Sequence, residues 1–281
     1  MSANTTFRVA MAQMRVEWGA AERNLAHAAE MIDEGAARGC AFVVLPECLD
    51  IGWTNPDARR LAQPIPGPAS EVLAKAAKRS GAWVVAGLTE RSADRVYNSA
   101  LLMDPEGAIV LKHRKINILE IAQSSYHIGD RLGVAQTPFG TIGMDICADN
   151  FADTLVFAHS LARMGARAIL SPCSWAVPAD HDNEKDPYGR FWQESYGKVA
   201  RLFDIPLVGV SNVGLIKGGP WAGRRCIGCS LAMGRDGQVL AVGPYGEDAE
   251  ALIPVELDLS KLPVKGTAIT GWLREKGWQA T

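Results

Sequence analysis

Short apolar runs alternate with helical repeats along this chain, and the order of that alternation limits its fold more than any other feature. "FRVAMAQM" (7–14) has the character of a buried strand. Over 20–38, Leu25, Ala28, Ala29, Ile32 and Ala36 recur at helical spacing with charges between them. Gly39 follows where a helix usually stops. "CAFVVLPE" (40–47) is continuously apolar until its end, as in strands covered on both faces. After "PIPGPAS" a second helix is expected to run to Ser80, and "AWVVAGLTE", "SALLMD" and "AIVLKHRK" read as three more strands.

The second half partly repeats this order. A strand over 141–147 leads into a helix at 151–164. "ARAILSP" is a strand, 188–203 a helix and "PLVGVSNVG" a strand; "CIGCSLAM" and "QVLAVG" flank a "GRDG" turn. Each half therefore carries β-α-β-α-β and then a run of strands, which implies stacked α and β layers. No Gly/Ser linker or compositional break interrupts the pattern. We read residues 1–281 as one domain with internal pseudo-symmetry. The longest irregular stretch is 172–187, and long loops in compact domains are often functional.

The chain has 281 residues, 48% of them hydrophobic, enough for a sizeable core in one large α/β domain. A net charge of -2 gives no basic footprint, so no nucleic-acid partner is expected. No apolar run reaches the length of a membrane span. "MSANTTF" lacks the charged and apolar regions of a secretory signal. The expected compartment is the reducing cytoplasm, where six cysteines act as single thiols rather than a disulfide framework.

Three of these strands end in residues with chemistry. Cys147 closes "GTIGMDIC", with a helical run expected just after it. Backbone N–H groups at such a junction favour a thiolate and can bind an oxyanion. A small buried hydrophobe would fit the same position. Glu47 ends "VVLPE", at the carboxyl end of a strand, where α/β sheets gather ligands; an ordinary solvated loop carboxylate is the alternative. Lys115 ends "AIVLKHRK" but competes with Lys112 and Arg114. Taken together, a thiol, a carboxylate and an ammonium form a constellation suited to acyl transfer. The thiol attacks a carbonyl or nitrile carbon, the carboxylate moves the proton, and the ammonium stabilises the tetrahedral intermediate.

"LPECLDIGW", "YNSALLMDPEGAIVLKHRKINI" and "GTIGMDICADNF" resemble the three signature regions of the nitrilase (carbon–nitrogen hydrolase) superfamily. "FRVAMAQM", "MGARAILSPCSW", "VGVSNVG" and "GCSLAMGRDGQVLA" resemble it too, in the same order, so the likeness covers nearly the whole chain. The resemblance implies an α/β fold built as a four-layer αββα sandwich of two mixed sheets, with no metal and no organic cofactor. It places the catalytic Glu on Glu47, the Lys on Lys115 and the nucleophile on Cys147, and it favours a homodimer or higher homo-oligomer. A second, substrate-positioning glutamate follows the lysine in many members. Glu120 is the glutamate available there, and Gln123 competes with it.

The pair after the nucleophile is Ala148-Asp149, where nitrilases usually carry Trp-Glu. That departure argues for a small amide or N-carbamoyl substrate over a nitrile. Nitrile hydrolysis, and a non-catalytic binding protein on the same scaffold, are the alternatives. Cys226 and Cys229 form a lone CxxC within what reads as one strand, where side chains alternate faces, so neither metal nor redox chemistry is expected of them. Trp53, Ala148, Cys173 and Trp175 are candidate pocket residues, as is Trp221, while "ADHDNEKD" (179–186) is either a gating loop or a solvated one.

Overall fold

A computed structural model describes residues 5–260 and 273–277. In the first half, β1 (Thr6–Gln13), α1 (Ala21–Ala37), β2 (Phe42–Val44), α2 (Ala58–Leu61), α3 (Pro68–Ser80), β3 (Trp83–Ser92), β4 (Arg95–Met103) and β5 (Ile109–Arg114) follow one another. The second half runs β6 (Val134–Thr137), β7 (Gly140–Met144), α4 (Val156–Arg163), β8 (Ala168–Cys173), β9 (Ala176–Val177), α5 (Arg190–Phe203) and β10 (Leu207–Ser211). It ends with β11 (Val213–Leu215), β12 (Arg225–Ile227), β13 (Leu231–Met233), β14 (Val239–Val242) and β15 (Ala251–Asp258).

The strands form two six-stranded sheets, ordered β15-β1-β2-β3-β4-β5 and β14-β13-β10-β8-β7-β6, with β11, β12 and β9 in a small third sheet. β1, β2 and β3 are parallel, and β4 and β5 then add antiparallel. In the other sheet β7, β8 and β10 are parallel, and β13 and β14 add antiparallel. Each first strand also carries one antiparallel neighbour, β15 on β1 and β6 on β7. The repeat read from the sequence is therefore a repeat of topology.

Strand periodicity separates the layers. On β1 to β4, Phe7, Val9, Met11, Phe42, Val44, Trp83, Val85, Ala100 and Leu102 join a core with Ile142, Met144 and Leu170 of the other sheet. The alternate residues, among them Ala10, Val43, Val84 and Leu101, pack with Leu25 and Ile32 of α1 and Leu73 and Ala77 of α3. Helices α4 and α5 cover the far sheet through Leu161, Trp192, Val199 and Phe203. The result is the αββα sandwich. Each fully buried aliphatic or aromatic side chain in such cores stabilises by about 1.5–3 kcal/mol, so the strand ends that carry the site are firmly held.

Several sequence expectations need correction. "CIGCSLAM" is not one strand: Gly228 (φ 67) and Cys229 (φ 58) turn the chain out of β12, and β13 begins at Leu231 in another sheet. "PLVGVSNVG" likewise splits into β10 and β11. The helix expected from 151 starts at Val156, because 147–150 form a 3-10 turn first. β6 and β15 were not anticipated; β15 pairs with β1 from the far end of the chain. Among the described residues no helix is long and apolar enough to cross a membrane.

Candidate active site

Glu47, Lys115 and Cys147 line one cavity of about 120 Å³ at the carboxyl ends of the parallel strands. Glu47 sits three residues past β2, and its backbone joins the two sheets. Its N–H donates to the Cys173 carbonyl at 3.1 Å, while the Gly87 N–H donates to the Pro46 carbonyl at 3.0 Å. Only glycine fits at 87: a Cβ there would lie 2.5 Å from the Glu47 Cα.

The Glu47 carboxylate is 1% exposed. Its Oε1 accepts from Lys115 Nζ at 2.6 Å and from Asn98 Nδ2 at 2.5 Å. Asn98 also holds the lysine backbone, since the Lys115 N–H donates to the Asn98 carbonyl at 2.8 Å. Burial alone would pull the Lys115 ammonium down. The Glu47 carboxylate and Cys147 beside it outweigh that and hold it above its ordinary value. Lys112 and Arg114, the sequence competitors, point elsewhere: both donate to Glu90, Lys112 at 2.7 Å and Arg114 through two nitrogens. Burial pushes Glu90 up, but Arg114, Lys112 and Ser99 outweigh it and hold it at about 2.

Cys147 has φ 46, in the left-handed region that non-glycine residues seldom enter. Such strain is costly unless the surroundings impose it, and it recurs at functional sites. Here the surroundings do impose it. The Cys147 N–H donates to Ser171 Oγ at 3.0 Å. Asp149 accepts from the N–H groups of Ile146, Ile116 and Asn117 and lies 2.8 Å from His113 Nε2. Asn117 Nδ2 donates to the Ala148 carbonyl at 2.7 Å. Asp149 thus ties the Lys115 loop to the Cys147 turn. The amides near the thiol belong to this turn and not to the start of α4, as the sequence had suggested.

Behind the turn, Asp145 is fully buried. One carboxylate oxygen accepts from Asn150 Nδ2 at 2.6 Å; the other has no hydrogen-bond partner. Burial, with Asp149 nearby, pushes Asp145 from 3.8 to about 7. A carboxyl raised in the folded state stabilises fully below its unfolded value and loses that contribution as pH rises through about 7. Asp145→Asn cannot ionise. Its melting temperature relative to the parent should therefore be little changed at pH 4 and higher at pH 8. The gain should correspond to on the order of 2–4 kcal/mol. Thermal melts across that range check it, and a gain that shrinks with rising pH would refute it.

Trp53, Ala148, Trp175 and Trp221 line the cavity. Cys173 does not: it is fully buried, with its Sγ 3.3 Å from the Ser171 carbonyl. Glu120 and Gln123 are both exposed, and neither lines the cavity; the 3-10 turn presents Leu119 instead. The 179–186 loop contributes no lining residue. Sequence reasoning missed Asn98, whose signal was a lone amide within an apolar strand, and the Tyr188, Phe191 and Trp192 wall at the start of α5. Among the described residues no three His, Cys, Asp or Glu side chains converge to hold a metal.

The omega-amidase NIT2 of Danio rerio is 30% identical over 177 residues, 59% of this chain and 62% of that protein. A nitrilase of Pyrococcus abyssi is 34% identical over 61% of this chain and 66% of its own. The chain thus matches a little under two thirds of the length of these curated relatives. Among solved structures, a mutant of the amidase from Nesterenkonia sp. AN1 superposes with a TM-score of 0.76, covering 92% of this chain and 93% of that one at 17% identity. That structure shows the acetamide moiety of fluoroacetamide added covalently at the active site cysteine of the amidase. The model of the carbon-nitrogen hydrolase family matches residues 8–263, and the chain belongs to that family.

Proposed function

We propose that this carbon-nitrogen hydrolase cleaves the C–N bond of a small amide or N-carbamoyl compound through a thioester on Cys147. The observation that carries the reading is the buried Glu47–Lys115 pair, 2.6 Å apart, in the cavity onto which Cys147 opens. Glu47 takes the thiol proton as the sulfur attacks the carbonyl carbon. Lys115 and the Ala148 N–H stabilise the resulting oxyanion. Glu47 then delivers its proton to the leaving nitrogen, the C–N bond breaks, and the thioester remains. Water attacks next, giving its proton to Glu47; the C–S bond breaks, and the proton returns to sulfur. Asn98 keeps the carboxylate aimed throughout.

Mass spectrometry of enzyme quenched during turnover of a small amide tests this. One acyl group is expected on the peptide containing Cys147, with ammonia released in step with acid. An adduct on another residue, or turnover with none at Cys147 under rapid quench and slow deacylation, would sink the mechanism. Amides should be hydrolysed faster than nitriles. The small Ala148 and the absence of a second carboxylate among the lining residues support this. Faster ammonia release from butyronitrile than from any amide would overturn that preference.

A further inference from the structure

The cavity wall is more selective than hydrolysis alone requires. Half of its fourteen lining residues are aromatic. Trp175 and Trp192 stack at 4.9 Å, and Trp53 meets Trp221 edge-on at 4.9 Å. Lys115 is the one cation among the lining residues, and its ammonium is already committed to Glu47. The two charges offset each other, so the walls present no free charge to the rest of the substrate. Where a carboxylate was expected from the sequence, Leu119 lines the cavity. Arg224 lies 4.2 Å over the Trp221 ring but is not part of the lining.

We infer that the site selects primary amides whose acyl group is compact, uncharged and apolar, and rejects those whose acyl chain bears a carboxylate. This rests on the hydrolase reading above and narrows it. A carboxylate entering this cavity would lose its water and gain no cation, and a buried charge without a partner is strongly disfavoured. An apolar chain loses nothing polar and is sheltered by the tryptophans. Aromatic walls also attract cations, but the one carboxylate among the lining residues, Glu47, is already committed to Lys115, so a buried ammonium would find no partner charge there either.

The test compares kcat/KM for butyramide, succinamate and 3-aminopropanamide, similar in length and differing in end charge, by ammonia release from the full chain. Butyramide should exceed each charged amide by at least about 100-fold, the scale on which an unpaired buried charge discriminates. Either charged amide within tenfold of butyramide overturns the inference and leaves the hydrolase reading standing. Absence of turnover on all three, with no Cys147 adduct, removes the hydrolase reading and the inference with it. A succinamate preference that collapses in Arg224→Ala would also overturn it, by showing that the cation over Trp221 reads the carboxylate. In a second arm, Leu119→Arg should raise the succinamate to butyramide ratio at least about tenfold, since it supplies the missing cation. An unchanged ratio in a folded variant overturns the placement of the acyl chain against this wall.

Discussion

Cys147→Ala should abolish ammonia release and leave the fold standing. Removing a nucleophile from a working triad costs about 10⁶ in kcat in a well-studied hydrolase, so a loss of at least about 10⁴ is expected. Stability should change by no more than about 1 kcal/mol, because the change removes a single atom from a side chain that sits where the core meets the cavity. The same substitution gives a clean chemical readout. Burial pushes the thiols of Cys40, Cys48 and Cys173 up, and those of Cys226 and Cys229 to about 11, so all five resist alkylation. Iodoacetamide should therefore modify one equivalent of thiol in the parent and none in Cys147→Ala. A variant that keeps its melting temperature and most of its rate would place the nucleophile elsewhere.

How much of this was legible beforehand depends on whether the signal was local. The two parallel βαβαβ units were readable because their strands are apolar on both faces and their helices keep a 3.6-residue period. β15 was not, because its pairing with β1 joins residues 6–13 to 251–258 and no local pattern announces such a partner. The split of "CIGCSLAM" was hidden for another reason. Gly228 and Cys229 both adopt positive φ, and a cysteine gives no warning of that. At the site, Glu47 and Cys147 stood out because each ends an apolar strand. Lys115 was ambiguous until strand parity is applied. On β5, Lys112 and Arg114 share the face that meets Glu90, while His113 is buried on the other side against Asp149. Lys115 has the parity of His113 and reaches Glu47. The second glutamate was misplaced for a similar reason: in the 3-10 turn at 120–122, a shift of one residue decides that Leu119 lines the cavity and Glu120 meets solvent.

That parity argument makes Lys115→Ala the sharper test of the triad. If the lysine stabilises the oxyanion, its loss should cost at least the factor of about 10²–10³ that one oxyanion donor typically supplies. It should also leave Glu47 buried without its cation. Breaking a buried pair from one side typically destabilises by about 3–5 kcal/mol. Activity must therefore be measured well below the variant's own melting temperature, on protein shown to be folded. Lys115→Arg should not restore the rate. A planar guanidinium cannot occupy the place of a compact ammonium that is 2% exposed and 2.6 Å from Glu47. Lys112→Ala is the control. Its ammonium is partly solvated and shares Glu90 with Arg114, which stays in place over the Tyr97 ring at 3.8 Å. The change should cost no more than about 1 kcal/mol of stability and leave kcat near the parent value. If Lys112→Ala loses activity while folded Lys115→Ala keeps it, the ammonium that matters lies on the Glu90 face, and the Glu47–Lys115 pair is only structural.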